Sequence, residues 1–360
     1  MTDRSPPPKA LRGAIVGYGF ISERGHMPAY RLPGPTKFDI VAVADICAAR
    51  RAKARAALPD ARVYASHEEL LAAEGGRIDF VDVTTPPSEH GPIARAALSR
   101  GLHVLCEKPL ATSGAEARSM AMLAREVRRV LFPSHNYKHA PVIKAVRQVL
   151  DAGLVGTVRQ VTLQTFRNTH AKGVDEWRRD WRREARYSGG GIAMDHGSHT
   201  FYLAFDWLGT FPTAITAKMS TLGDFDTEDN FSCAITFPNG TATAHLTWTA
   251  GVRKVIYTIH GERGAIRVED DDVEVAVMAE HGGLAQTTWE MKKEKVASAW
   301  MDASHVGWFR SLFDQFAVAV ANDDFVGKET EASVHCVELI SAAYASAHDR
   351  SIERPLGKQP

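Results

Sequence analysis

Ile15-Val-Gly17-Tyr-Gly19-Phe20-Ile21-Ser22, near the start of the chain, decides how the first half is read. A glycine at 17 permits a tight turn out of a strand. A glycine at 19 lets the backbone approach a pyrophosphate at the positive end of the next helix. Ser22 stands where the third glycine of such a turn usually falls, and it is still small enough for close helix packing. The pair of glycines alone is a weak signal and also fits a plain turn. The predicted strand before it (Arg12 to Gly17) and the amphipathic stretch after it give the context that dinucleotide binding requires.

Outward from this turn, short β-branched runs alternate with alanine-rich stretches, the pattern of βαβ units and a parallel sheet. The pattern predicts strands at Ile40 to Ala44, Phe80 to Thr84, His103 to Cys106 and Val130 to Phe132. It predicts helices at Ala48 to Leu58, His67 to Ala73, Pro92 to Ser99 and Gly114 to Val127. Residues 11–134 therefore read as a doubly wound α/β domain of the Rossmann type, preceded by a flexible, proline-rich tail over residues 1–10.

Chemistry-bearing residues cluster at the predicted carboxyl ends of these strands, where ligands bind to open α/β sheets. Asp45 ends the second strand; its carboxylate can accept from ribose hydroxyls and repels a 2′-phosphate, which favours NAD. Arg50 and Arg51 leave NADP open, and the plainer reading of Asp45 is a helix cap. The loop from Gly17 to Asp45 exceeds the usual spacing of about 20 residues, with Leu32-Pro-Gly-Pro35 as the insertion. Thr84-Thr85-Pro86-Pro87-Ser-Glu-His90 and Glu107-Lys108-Pro109 follow the next two strands. A lysine beside a nicotinamide can exchange a proton with a hydroxyl at the reacting carbon, with Glu107 orienting its ammonium; an ordinary surface lysine is the alternative.

After residue 150 the grammar changes. A helix at Pro141 to Asp151 and a strand at Val158 to Phe166 lead into Glu176-Trp-Arg-Arg-Asp-Trp181-Arg182-Arg-Glu and then Gly189-Gly-Gly. That basic stretch reads either as a solvated face or as a pocket wall that recognises an anion. A helix from Ala193 to Trp207 precedes strands at Thr213 to Ser220, Asn230 to Phe237, Thr241 to Thr249, Val255 to His260 and Ala265 to Glu269. Pro238-Asn239-Gly240 predicts a hairpin turn built on the positive φ angles of Asn-Gly. Helices at His305 to Ala321 and Glu331 to His348 cover a sheet or dock on the first domain. Residues 135–360 thus read as an α+β domain on a mainly antiparallel sheet with one open face.

On the predicted helix, Asp195 and His199 stand four apart and share a face, so they can bind vicinal hydroxyls and accept a proton. His196 points about 100° away on an ideal helix and reads as structural. No third ligand makes Asp195 and His199 a metal site, and His135 with His139 is no more convincing.

Forty-three basic residues balance 43 acidic ones, so no net field favours nucleic acid or an anionic membrane. Four scattered cysteines form no clip, no apolar run reaches the roughly 20 residues of a span, and a cytoplasmic location is expected.

In order, Gly17-x-Gly19, Thr85-Pro-x-x-x-His90, Glu107-Lys108-Pro109 and Asn136-Tyr137-Lys-His-x-Pro141 resemble the Gfo/Idh/MocA oxidoreductases. So do Trp181-Arg182, Gly189 to His199 and Thr227-Glu-Asp-Asn-Phe. The resemblance spans nearly the whole chain. It implies a nicotinamide-dependent oxidoreductase of sugars or cyclitols, with Lys108 catalytic and Asp195 and His199 in the substrate pocket. It also implies a homodimer or homotetramer formed through the open sheet face. The expected cofactor contacts are Gly17, Gly19, Phe20, Ile21, Asp45, Arg50, Thr84, Thr85, Pro86, His90, Glu107, Lys108 and Asn136. The expected substrate contacts are Lys108, Tyr137, Trp181, Arg182, Asp195 and His199. Two other readings stay open: glycoside cleavage through transient oxidation, and a non-catalytic dinucleotide sensor.

Overall fold

The computed structural model describes residues 10–279 and 288–357; most of the expected amino-terminal tail, residues 1–9, lies outside the described residues. Six short strands form the first sheet: β1 (Leu11–Val16), β2 (Phe38–Ala44), β3 (Arg62–Tyr64), β4 (Phe80–Val83), β5 (His103–Cys106) and β6 (Leu131–Pro133). All run parallel in the order β3-β2-β1-β4-β5-β6. The connections are α1 (Met27–Arg31), α2 (Ala48–Ala57), α3 (His67–Glu74), α4 (His90–Leu98) and α5 (Gly114–Glu126), with a π-helical turn at Ser22–His26 leading into α1. Strand order reverses between β1 and β4, which opens a crevice at their carboxyl ends.

Because side chains alternate along a strand, each face of this sheet has its own core. Ile15, Val43, Phe80 and Leu105 meet Phe309, Phe313 and Phe316 on one face. Val16, Ala44, Val83 and Val104 pack with Leu70, Ile93, Met120 and Val337 on the other. The aromatics come from α9 (Val306–Ala321) and Val337 from α10 (Lys328–His348), so the last two helices of the chain close the first sheet.

The second sheet has nine strands, in the order β14-β13-β12-β11-β7-β10-β9-β8-β15. In chain order, α6 (Pro141–Asp151) precedes β7 (Val158–Phe166), and α7 (Ala185–Ser188) and α8 (Ser198–Leu208) follow it. Then come β8 (Ala214–Ser220), β9 (Asn230–Phe237), β10 (Gly240–Thr247), β11 (Lys254–Gly261), β12 (Gly264–Glu269), β13 (Asp272–Ala279), β14 (Thr288–Lys295) and β15 (Arg354–Pro355). Neighbours are antiparallel except β7 with β10. One face is buried under α6, α8 and α10, where Leu163, Phe231, Ile235 and Tyr257 meet Val146, Phe201 and Ile340. Alternate positions such as Thr236, Thr241 and Thr243 are exposed on the other face.

Sequence reasoning had passed over β3, β13, β14 and β15. The β9–β10 hairpin is where it was expected, but for a different reason. Phe237 pairs directly with Gly240, so Pro238-Asn239 forms the loop, and neither Asn239 nor Gly240 has a positive φ. Gly240 is required by space: a Cβ there would lie 2.3 Å from the Arg159 carbonyl oxygen. No helix among the described residues is long and apolar enough to cross a membrane.

Phe313 is fully buried and stacks on Tyr30 at 4.1 Å, joining α9 to the first sheet. Phe313→Ala is expected to lower unfolding free energy by about 3–5 kcal/mol, and Phe313→Leu by less, in denaturant titrations followed by tryptophan fluorescence. A loss near zero would mean that α9 does not hold the halves together.

Candidate active site

One cavity of about 800 Å³ runs from the turn after β1, past the ends of β4 and β5, to the buried-side loops of the second sheet. Gly17, Gly19, Phe20, Ile21, Asp45, Arg50, Thr84, Thr85, Pro86, Glu107, Lys108, Asn136, Tyr137, Trp181, Arg182, Asp195 and His199 all line it. His90 does not. It lies fully buried beneath, its two ring nitrogens each 2.8 Å from a carbonyl oxygen, of Thr85 and of Pro109. Its place is to tie the loop after β4 to the loop after β5, so the expected direct cofactor contact is corrected.

At the nucleotide end, Gly17 adopts φ +94°, the left-handed region open to glycine. Its carbonyl accepts from the Ser22 hydroxyl at 2.5 Å and the Thr84 hydroxyl at 2.6 Å. Thr84 is thereby turned onto the protein, and its hydroxyl steadies the turn. A Cβ at Gly19 would meet nothing within 4 Å, so the backbone there borders open space. Asp45 accepts from Tyr18 N–H at 2.6 Å through one oxygen and from Cys47 N–H at 2.7 Å through the other. Lone pairs remain on both oxygens for a ribose. Arg50 is bound to the Tyr18 carbonyl and to Glu23 at 2.6 Å, and Arg51 to the carbonyls of Asp45 and Ile46. Neither guanidinium stands free for a 2′-phosphate. Buried Thr85 Oγ1 and Asn136 Oδ1 have no protein partner. The open space at Gly19 and these orphaned polar atoms fit a dinucleotide lying across the strand ends.

At the other end, Lys108 follows β5 and is joined to Pro109 by a cis peptide bond. Its ammonium donates to the Asp195 carboxylate at 2.8 Å and the Asp195 carbonyl at 3.0 Å. Burial alone would raise the Asp195 carboxyl. The charges of Lys108, Arg182 and His196 win and hold it well below the usual carboxylate range. Glu107 does not orient the ammonium as expected. It accepts from the Lys108 backbone N–H at 3.2 Å and from His26 at 3.1 Å.

Asp195 sits in a π-helical turn, Ala193–Gly197, that runs into α8. Glu228 fixes the start of this turn by accepting from the Gly191 and Ala193 N–H groups at 2.8 and 2.9 Å. A Cβ at Gly191 would lie 2.0 Å from the Glu228 carbonyl oxygen, so glycine is required for this contact. His196, which follows Asp195 in this π turn, was expected to point away from the pocket. Read as structural, it instead lines the cavity with Nδ1 3.3 Å from the Asp195 carboxylate. Asp195 makes no bond to His199, whose ring stacks on Tyr137 at 4.0 Å. His199 Nδ1 is buried without a partner, leaving Nε2 as the nitrogen open to the cavity. Burial and the Lys108 charge hold His199 well below the ordinary histidine range, and burial brings His196 to about 4.

Behind Lys108 lies a chain the sequence did not reveal. Fully buried His26 is 2.7 Å from Asp82 through Nδ1 and 3.1 Å from Glu107 through Nε2. Tyr30 donates to the same Asp82 oxygen at 2.9 Å. Burial opposes charge on His26, but the flanking carboxylates prevail and raise it to about 9. Among the described residues no group of three or more His, Cys, Asp and Glu could hold a metal ion.

The parallel sheet with its glycine turn, and the ionic site facing it, define an NAD-binding oxidoreductase class. Residues 11–135 match the oxidoreductase family with NAD-binding Rossmann fold, GFO/IDH/MocA, and residues 143–267 match the GFO/IDH/MocA C-terminal domain. The chain belongs to this family. It is 27% identical to the Escherichia coli oxidoreductase YdgJ over 256 residues, 71% of this chain and 70% of that one. It is 28% identical to inositol 2-dehydrogenase of Rhizobium meliloti over 271 residues, 72% of this chain and 76% of the relative. Matches to several other relatives span about half to two thirds of those proteins. The crystal structure of GenD2 from gentamicin A biosynthesis, in complex with NAD, superposes with a TM-score of 0.80 at 25% identity, covering 99% of this chain and all of that one.

The raised His26 value sets a pH dependence. Its charge pairs stabilise the fold fully below about pH 6.5, the unfolded value, and that contribution fades as pH rises through about 9. His26→Asn should therefore unfold at lower denaturant than the parent at pH 6.5, with the gap narrowing toward pH 9.5. A gap constant across that range would mean that His26 is neutral in the fold.

Proposed function

We propose that the chain is an NAD-dependent dehydrogenase or reductase acting on a CH–OH group of a sugar, sugar derivative or cyclitol. The observation that carries this reading is the meeting of Lys108, from the nucleotide sheet, with Asp195, on the helix that also bears His199, inside one cavity with the glycine turn. Names among the relatives, inositol 2-dehydrogenase and levoglucosan dehydrogenase, support a polyol as substrate class. NAD, when bound, supplies the acceptor for the hydride that leaves the carbinol carbon.

This chain's residues handle the proton and the oxygen. Lys108 Nζ donates a hydrogen bond to the oxygen at the reacting carbon and steadies the negative charge that develops there. His199, kept neutral by burial, takes the hydroxyl proton on Nε2, so one proton and one hydride leave and a carbonyl forms. Asp195 holds Lys108 in place, and Tyr137 stacked on His199 fixes the ring plane. Asp45, with both arginines beside it turned onto the protein, supports NAD over NADP.

Lys108→Ala should lower kcat by about 10²–10⁴-fold while the Kd for NADH, read by its fluorescence, stays within a factor of about three. Unimpaired turnover would remove Lys108 from the chemistry. For cofactor choice, the parent is expected to reduce NAD at least tenfold more efficiently than NADP by 340 nm absorbance. Asp45→Ser should narrow that ratio, and an unchanged ratio would count against a ribose contact.

A further inference from the structure

Among the described residues three arginines are buried: Arg50, Arg167 and Arg310. Two have carboxylate partners, Arg50 with Glu23 and Arg310 with Asp314. Arg167 has none within ion-pair distance among the described residues; its Nη1 donates only to the carbonyls of Phe166 at 2.8 Å and Lys254 at 3.4 Å. A desolvated guanidinium without a counter-charge is expensive, so its persistence calls for a ligand.

The sheet register makes the case stronger. Phe166 on β7 pairs with Lys254 on β11, which sets Arg167 opposite Arg253 in the antiparallel extension. Like charges directly opposite on one face repel. Arg253 is likewise without a carboxylate, donating only to the Met301 carbonyl at 3.0 Å. Burial first, and then the Arg167 charge, lower its guanidinium. Both arginines line the reaction end of the cavity, beside Tyr137, His199 and His305. Asp270 acts on both arginines only from beyond ion-pair distance, its carboxylate accepting from the Val255 N–H at 2.9 Å, and Asp195 is already held by Lys108 at 2.8 Å and approached by Arg182 at 3.6 Å. His196 and His305, each lowered to about 4 with burial the main cause, bring no counter-charge. A cofactor's phosphates belong at the glycine turn on the opposite sheet, and an oxidised nicotinamide adds positive charge.

We propose that Arg167 and Arg253 form a subsite for an anionic group, a carboxylate or a phosphate, carried by the polyol substrate. The enzyme is then selective for acidic sugars over neutral ones. Arg forks match such oxyanions bidentately, and the anion relieves the repulsion between the two guanidinium groups. This inference rests on the dehydrogenase reading above and names its substrate class.

The test compares kcat/KM by NADH absorbance for glucose and myo-inositol, for gluconate and glucuronate, and for glucose 6-phosphate. The parent and the Arg167→Met and Arg253→Met variants are assayed, with unfolding midpoints confirming that each variant is folded. Expected is a preference of at least tenfold for one anionic arm, the arm identifying carboxylate or phosphate, with the acid-to-neutral ratio falling at least tenfold in each variant, mainly through KM. Arg167→Lys should recover part of that ratio. Preference for neutral polyols, or a ratio that the variants leave unchanged, overturns the subsite. If no polyol is turned over, the dehydrogenase reading falls, and calorimetry then judges the subsite separately. Binding of glucuronate or glucose 6-phosphate to the NADH-loaded parent that is lost in Arg167→Met upholds it; no binding to the parent overturns it.

Discussion

The ion pair between Lys108 and Asp195 is the joint on which the rest of the molecule is organised. Its partners are 87 residues apart, one at the end of a strand in the parallel sheet and the other at the entry to a helix on the second sheet. Both side chains are nearly buried, at 11% and 13% exposure, so separating them leaves an uncompensated charge. Breaking such a pair costs about 3–5 kcal/mol, whereas its net contribution when intact is small. The pair is therefore better understood as a device for placement than as a source of stability. It sets where an oxygen must lie to receive the lysine's hydrogen bond while facing His199.

Both partners are held from behind. On the lysine side, the Asp82–His26–Glu107 chain fixes the loop after β5, with Glu107 gripping the Lys108 backbone N–H. His90 binds that loop to its neighbour from below. On the aspartate side, Glu228 grips the first turn of the helix, and Tyr344 from α10 donates to the same carboxylate at 3.0 Å. Burial raises Glu228, so its backbone donors and the tyrosine stabilise a group that would otherwise resist being charged there. Helices α9 and α10 then lock the two sheets, through the phenylalanines against Tyr30 and Phe80 and through Val337 against the first core. A shift of either half would move Lys108 relative to His199, which is why so much of the chain's end packs on its beginning.

The residues legible in the sequence were those whose role follows from local spacing. Gly17 and Gly19 act within a few residues of each other, Lys108 sits in a short motif, and Asp195 and His199 are one turn apart. What stayed hidden depends mostly on long-range register. His26 and Asp82 are single residues that meet only because β4 lies beside β1. Arg167 and Arg253 are unremarkable alone and become a pair only through the β7–β11 alignment. His196 lines the cavity beside Asp195, a placement that its rotation around a helix did not reveal. Strand β13 has the alternation Val273-Glu-Val-Ala-Val and was readable, whereas β14, with Lys292-Lys-Glu-Lys, carries the composition of an exposed edge.

The arginine-rich stretch after Gly173 shows how charge density in a sequence misleads until partners are known. Arg178 and Arg186 face Glu184, Arg179 faces Asp175, and Arg183 is bound to Asp229. Arg178 and Arg182 both line the cavity, but Arg182 alone among these arginines is directed at Asp195, stacked on Trp181. Glu176, in the same stretch, reaches back to Arg50 and Lys53 beside the nucleotide turn, so the segment bridges both ends of the crevice. A segment that neutralises itself while crossing the cavity contributes walls rather than field. The unbalanced charge comes instead from Arg167 and Arg253, beside two separate strands, and a field assembled that way persists in a chain whose total charge is zero.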